Sequence, residues 1–82
     1  MIEKFKQYIQ LNYSNLTYYD RVREFLEEVS LENISEETIN KFILNKKETK
    51  AIETANLYIK ALRVFLKFLK KDIELPNYSK TG

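Results

Sequence analysis

The sequence contains no cysteine, no histidine and no tryptophan, and it has only one glycine and one proline. Without cysteine the chain forms neither disulfides nor thiolate metal sites. Without histidine it lacks the commonest general base and the usual nitrogen ligand of zinc. Gly82 and Pro76 both lie near the C-terminus, so no helix breaker precedes Pro76. These absences predict a helical domain that holds no cofactor and no metal.

Long apolar runs are also missing, because charged residues interrupt the aliphatic stretches. No segment approaches the roughly 20 apolar residues that a membrane-spanning helix needs. The chain does not begin with the pattern of a signal peptide, a basic start followed by an apolar run and a small-residue cleavage site. We therefore expect no membrane partner and a cytoplasmic location. The 82 residues are the size of one domain with one core.

Charge is distributed unevenly along the chain, although the net charge is only +2. Residues 1–40 carry four basic and eight acidic side chains, a net charge of −4. Residues 41–82 carry ten basic and four acidic side chains, a net charge of +6. Basic residues clustered in this way are typical of a nucleic-acid-binding surface, and a solvated lysine-rich helix is the alternative interpretation.

Apolar residues recur at helical spacing in four segments, and no alternating pattern indicates a strand. The predicted helices are Ile2–Gln10, Leu16–Val29, Ser35–Asn45 and Lys50–Lys71. Ser35 is a favourable N-cap for the third helix, with Ile34 and Ile39 placed for a hydrophobic staple. The segment Lys46–Thr49 is predicted as a basic loop in which Thr49 caps the fourth helix.

The fourth helix is the longest and is apolar over more than half of its circumference, so we expect it at the centre of a bundle. Its second apolar stripe is Leu57, Ala61, Val64 and Phe68. Its basic sector is Asn56, Lys60, Arg63, Lys67, Lys70 and Lys71. The apolar stripes of three helices meet in one predicted core, which comprises Val22, Phe25, Leu26, Ile39, Phe42, Ile52, Ile59, Leu62, Phe65 and Leu66.

Three segments resemble, in order and spacing, the core-binding domain of tyrosine recombinases and phage-type integrases. Glu53–Leu69, ETANLYIKALRVFLKFL, resembles the family's last helix, and Ile34–Ile43, ISEETINKFI, resembles the helix before it. The family's second-helix pattern is matched by Tyr18, Val22, Phe25 and Leu26. Before that helix, either Ser14 or Thr17 occupies the family's threonine position. The resemblance extends over about residues 2–76.

The resemblance implies an all-α, four-helix, SAM-like bundle over residues 1–76, with residues 77–82 starting a linker to a C-terminal catalytic domain. It implies a DNA-binding module that grips one face of the duplex during site-specific DNA recombination. The implied partners are double-stranded DNA, the catalytic domain of the same polypeptide and other recombinase protomers assembled on DNA. It also implies that the first helix covers part of the second apolar stripe.

Catalysis by this chain alone is not expected. The recombinase family attacks a phosphodiester with a tyrosine, assisted by arginines, a lysine and usually histidines of the separate catalytic domain. The chain has six tyrosines but no histidine and only three arginines, two of which lie on one predicted helix. The cationic clamp that phosphoryl transfer requires is therefore missing. The tyrosines are predicted to be structural or contact residues, with Tyr18 and Tyr58 beside the apolar stripes.

Two surfaces are candidates for the DNA contact. In the family the second and fourth helices cross DNA near their N-terminal ends, which implies a helix-start set of Ser14, Asn15, Thr17, Arg21, Lys46, Lys47, Thr49, Lys50 and Thr54. Composition favours instead the basic sector of the fourth helix as the DNA contact. This sector is rotated about 100° around the helix axis from Lys50 and Thr54. We favour the helix-start set for the groove and keep Lys60 and Arg63 as phosphate contacts or solvated charges. A salt bridge to an acidic neighbour is the alternative role for Arg63.

Two other functions fit the same patterns. One is a small helical protein-interaction module or regulator of a mobile element, which docks a partner on the second apolar stripe. The other is a four-helix DNA-binding protein unrelated to recombination. A downstream domain with arginine, histidine and a late tyrosine would favour the recombinase interpretation over both.

Overall fold

The computed structural model describes residues 2–73 and residue 75, and within them it contains four α-helices and no β-strand. The α-helices are α1 (Ile2–Asn12), α2 (Thr17–Glu28), α3 (Glu36–Thr49) and α4 (Ile52–Leu69), and a 3₁₀ turn (Leu31–Asn33) precedes α3. The predicted all-α four-helix bundle is confirmed, whereas the predicted linker over residues 77–82 lies outside the described residues. Each helix in the described ranges is too short or too polar to traverse a lipid bilayer.

The boundary between α3 and α4 differs from the prediction, because the segment assigned to a basic loop, Lys46–Thr49, remains helical. No residue in that segment breaks a helix, and the Thr49 hydroxyl donates to the Asn45 carbonyl oxygen one turn earlier (2.7 Å). The predicted loop and the predicted role of Thr49 as the cap of α4 are therefore wrong. Only Lys50 and Ala51 connect the two helices, and Ala51 is the N-cap of α4.

The start of α3 follows the prediction, with Ser35 as N-cap. The Thr38 N–H donates to the Ser35 hydroxyl (3.3 Å), and the Ser35 N–H donates to the Thr38 hydroxyl (2.9 Å). These two hydrogen bonds form a reciprocal capping box. Ile34 packs against the cluster that contains buried Ile39, as the predicted staple requires.

The buried side chains form two adjoining clusters. The α3-side core joins α2, α3 and α4 and contains Phe25, Ile39, Phe42, Ile43, Tyr58, Ile59, Leu62 and Leu66. The α1-side core joins α1, α2 and α4 and contains Phe5, Ile9, Val22, Ala61 and Phe65. Half-buried Leu26 and Ile34 pack against both cores. Because α2 and α4 contribute to both cores, these two helices form the centre of the bundle.

The predicted core residues are buried except at two positions, but they belong to two clusters and not to the single core predicted. Ile52 is 40% exposed, and Leu26 is only half-buried. Ile52 is the first residue of α4 and lies at the edge of its apolar sector, so neighbouring helices leave much of its side chain in solvent. Among the largest fully buried side chains, the predicted core omitted Phe5, Ile9, Ile43 and Tyr58.

α1 covers part of the second apolar stripe of α4. The ring centroid of Phe68 lies 5.4 Å from that of Phe5 and 5.2 Å from that of Tyr8. Phe5 also makes an edge-on contact with Phe65, with the centroids 4.9 Å apart. Offset and edge-on aromatic pairs of this kind stabilise a core beyond their buried area. The end of the stripe that carries Phe68 is therefore partly covered by α1, and the Phe68 side chain is half-buried.

α4 ends at Leu69, two residues earlier than predicted, because Lys70 adopts the left-handed conformation (φ 60°, ψ 36°). The Lys71 N–H donates across this turn to the Leu66 carbonyl oxygen (3.0 Å). After the turn, Ile73 and Leu75 pack against the α3-side core. The chain therefore turns back onto the bundle after α4.

Candidate nucleic-acid interface

The ring of Tyr58 on α4 is fully buried, and its hydroxyl joins a polar group between α2 and α4. The Tyr58 hydroxyl donates to Glu24 Oε2 (2.9 Å). Arg21 Nη1 donates to the same carboxylate oxygen (2.6 Å) and to the Tyr58 hydroxyl oxygen (3.3 Å). Hydrogen bonds to charged groups are stronger than neutral ones, so this arrangement ties α2 to α4.

Lys46, in the last turns of α3, also lies beside the Tyr58 ring. Its Nζ lies 4.9 Å from the ring centroid of Phe42 and 5.5 Å from that of Tyr58, which are cation–π distances. The same Nζ lies 3.7 Å from Glu28 Oε2 on α2, and the Lys46 side chain is only 16% exposed. We call Arg21, Glu24, Glu28, Lys46 and Tyr58 the Tyr58 network.

Arg21 is only partly accessible in the free bundle. Its side chain is 31% exposed, and its guanidinium carbon lies 5.5 Å from the centroid of the Tyr58 ring. Its Nε is buried and has no hydrogen-bond partner among the described residues. The charge of Arg21 is already compensated by Glu24, as that of Lys46 is by Glu28.

The Tyr58 network brings three parts of the predicted helix-start set to one side of the bundle, because Tyr58 contacts both Arg21 and Lys46. These parts are the first half of α2, the end of α3 and the first half of α4. Thr54 lies one turn before Tyr58 on the same face of α4 and is half-buried, as is Lys47. The exposed members of the set are Ser14, Asn15, Thr17, Thr49 and Lys50.

The connection before α2 has its own local order. The Asn15 side-chain oxygen accepts a hydrogen bond from the Thr17 N–H (2.9 Å), an Asx-type turn that leads into the helix. Leu16 is the N-cap and makes no side-chain cap hydrogen bond. Tyr13 and Tyr18 pack edge-on across this turn, with centroids 5.4 Å apart. The tyrosines here thus support the turn, as expected of structural residues.

The second candidate surface is the basic sector of α4. Lys60, Arg63, Lys67 and Lys71 are exposed and follow one another at intervals of three or four residues, and we call them the basic stripe. None of the four has an ion-pair partner in the described part of the chain. The alternative of a salt bridge at Arg63 is therefore not realised among these residues. Lys60 and Arg63 were predicted only as secondary contacts beside the helix-start set, and Lys67 and Lys71 were predicted in the basic sector that was the alternative surface.

Groups that would bind a metal do not converge within residues 2–73 and 75, where no three acidic side chains share a site.

Comparison with known proteins adds no family: no protein-family model, no curated protein and no solved structure matches this chain.

Proposed function

We propose that this chain is a duplex-DNA-binding module that resembles the core-binding domain of a tyrosine recombinase and has no catalytic activity of its own. The observation that carries the proposal is the basic stripe, three exposed cations on one face of α4 followed by Lys71 just after the helix, with no acidic partner among the described residues. Cations without an acidic partner are free to neutralise phosphates, which supply most of the affinity of proteins for DNA.

The length of the basic stripe fits the repeat of the phosphate backbone. From Lys60 to Lys67 on α4 the helix rises about 10 Å, and successive phosphates of one strand rise about 3.4 Å along the DNA axis. A cation row of this length therefore reaches three or four phosphates of one strand. Neutralising about three phosphates predicts a slope near −3 for the logarithm of the binding constant against the logarithm of salt concentration.

The helix-start set contributes differently in this proposal. Arg21 and Lys46 hold the bundle together, and the exposed Ser14, Asn15, Thr17 and Thr49 offer uncharged donors and acceptors beside Lys50. Such groups position a protein on DNA or contact base edges while adding little electrostatic attraction. In the working complex we propose a catalytic domain and other recombinase protomers as further partners, in the cytoplasm.

The proposal is tested by fluorescence anisotropy with a labelled duplex of about 20 base pairs, measured over a series of salt concentrations. We expect a dissociation constant on the order of micromolar at low salt, because the module makes few phosphate contacts. Arg63→Gln combined with Lys67→Gln should weaken binding by about tenfold and reduce the salt slope by nearly 2. No binding at low salt, or no effect of this double variant, would contradict the proposal.

The matched control is Lys4→Gln combined with Lys41→Gln, which removes the same charge from exposed positions on α1 and α3. Generic electrostatic attraction would make the two double variants equally weak, whereas a localised interface makes the control binding nearly unchanged. An NMR titration separates the two candidate surfaces. Amide shifts confined to residues 14–21 and 46–57 would assign the contact to the helix-start set, and shifts at residues 60–71 would assign it to the basic stripe.

The protein-interaction alternative is less well supported. It requires the second apolar stripe as a docking surface, but the Phe68 ring is in contact with Phe5 and Tyr8 of α1. A partner on that stripe would compete with α1 for the covered part of the half-buried Phe68 side chain. DNA binding needs no such rearrangement, because the basic stripe is exposed in the free bundle.

A further inference from the structure

We infer that the segment after α4 completes a cleft for the DNA phosphodiester backbone, so that an uncharged, apolar part of the chain contributes to DNA affinity. This inference rests on the proposed function and adds a site to it. The cleft has a volume of about 400 Å³ and is lined by the C-terminal half of α4 together with Lys71, Asp72, Ile73 and Leu75. Its lining includes three cations of the basic stripe, Arg63, Lys67 and Lys71.

The wall opposite Arg63 and Lys67 is built by the turn at Lys70. The left-handed backbone at that residue reverses the chain, and the hydrogen bond from Lys71 N–H to the Leu66 carbonyl oxygen closes the turn. Ile73 and Leu75 then pack against the α3-side core and line the cleft together with Leu66. The wall is therefore held by apolar burial, and its position does not depend on any ion pair among the described residues.

The chemistry of the cleft fits a phosphodiester better than an isolated anion. Arg63 and Lys67 lie one turn apart on α4, about 6 Å along the helix axis, and Lys71 follows the turn at Lys70, so a line of three charges borders the cleft. Lys60 extends that line by almost one turn beyond the cleft. A ligand with regularly repeated negative charges matches the whole line, and the apolar wall of Leu66, Ile73 and Leu75 suits the sugar carbons between phosphates. A single anion would contact only part of this line of charges.

One acidic residue limits the attraction of the cleft for anions. Asp72 lines the cleft and also borders a second hollow with Ser35 and Glu36 at the start of α3. Its carboxylate opposes a phosphate that approaches Lys71. Replacing it by asparagine removes this repulsion and keeps the side-chain shape, so Asp72→Asn should bind DNA more tightly than the natural chain.

The test compares charge-neutral and charge-changing variants of the full chain in the anisotropy assay. Ile73→Ser combined with Leu75→Ser should weaken duplex binding by about threefold or more at unchanged net charge, with the helical content of the bundle retained by circular dichroism. Asp72→Asn should tighten binding by about twofold to threefold, and Glu32→Gln, at an exposed acidic position before α3, should change it less. If the serine variant does not fold, the cleft is tested by the other pair: Asp72→Asn must tighten DNA binding more than Glu32→Gln does, and equal effects would refute the cleft.

The two ideas fail in different ways. If Arg63→Gln with Lys67→Gln weakens binding while the Ile73, Leu75 and Asp72 variants behave like the natural chain, the cleft is refuted and the proposed function stands. If the Arg63 and Lys67 variant also binds like the natural chain, the proposed function itself is refuted. If polyglutamate competes as strongly as the duplex at equal charge concentration, the cleft selects acidic chains rather than phosphodiesters, and the inference is overturned.

Discussion

The Tyr58 network and the basic stripe use the same kinds of side chain in opposite ways. In the network, Arg21 lies 2.6 Å from a Glu24 oxygen and Lys46 lies 3.7 Å from a Glu28 oxygen, and both cations lie beside the Tyr58 ring. In the stripe, the cations are exposed and have no acidic partner within residues 2–73 and 75. The surroundings of a lysine or arginine, more than its place in the sequence, decide whether it stabilises the fold or contacts a partner.

The largest expected effect concerns the core beneath the network. Leu62 is 1% exposed, and Leu62→Ala should lower the free energy of unfolding by about 2–5 kcal/mol, as large-to-small core replacements do. Urea denaturation followed by circular dichroism measures this change. Ile52→Ala on the same helix is the control and should cost less than about 1 kcal/mol, since Ile52 is 40% exposed. Equal costs at the two positions would show that the burial pattern of α4 is wrong.

The next effect isolates the Tyr58 network. Tyr58→Phe keeps the buried ring and removes the hydroxyl that donates to Glu24, so we expect a loss of about 1–2 kcal/mol in the free energy of unfolding. DNA affinity should stay within about twofold, because the network is a structural element. A tenfold loss of DNA affinity in a folded Tyr58→Phe variant would instead make the network part of the interface.

A matched pair of lysine substitutions compares the two regions directly. Lys46→Gln should reduce the free energy of unfolding by about 1 kcal/mol, because it removes a shielded cation–π contact and an ion pair. Lys60→Gln should leave the melting temperature unchanged and should lower the salt slope of DNA binding by about 0.9, the loss of one phosphate contact. Thermal melts and anisotropy on both variants check the two outcomes. If Lys46→Gln lowered the salt slope of DNA binding and Lys60→Gln lowered the stability, the Tyr58 network would be the DNA contact and the basic stripe the structural element.

The smallest expected effect is a gain in stability at the end of the stripe. Lys70 has a positive φ of 60°, the one such non-glycine residue in the described ranges. Glycine adopts this conformation without the steric cost that a Cβ atom imposes, so Lys70→Gly should raise the free energy of unfolding by about 0.5–1 kcal/mol. The shift is measurable as a rise of a few degrees in the melting temperature. Lys71→Gly is the contrast, and a gain at that position as well would point to a cause other than the left-handed turn.

Much of this fold was predictable from local pattern. Apolar spacing identified the four helices, and Ser35 with its neighbours identified the start of α3, because caps and staples depend on residues close in sequence. The boundary of α3 and α4 was not predictable in the same way. Lys46–Thr49 are acceptable in a helix or a loop, and the packing of Lys46 on Phe42 and Tyr58 favours the helix through contacts distant in sequence.

The candidate site was predictable only in part. The basic stripe is visible in the sequence as cations at helical intervals. The compensation of Arg21 is visible as an i,i+3 pair with Glu24. Nothing local, however, indicates that Lys46 meets Glu28 or that Ile73 and Leu75 fold back onto the bundle. These contacts join segments that are far apart in the sequence or follow a turn whose direction depends on tertiary packing.

The division of the interior into two cores has a consequence for the motions of this protein. α1 contributes side chains only to the α1-side core, whereas α3 contributes only to the α3-side core. Proteins open in cooperative units, and a helix anchored in a single cluster is released at lower free energy than helices shared by two. We therefore expect amide hydrogens of α1 to exchange faster than those of α2 and α4. A chain with α1 released would keep the α3-side core, the Lys70 turn and the basic stripe, and so would retain the surface proposed to hold DNA.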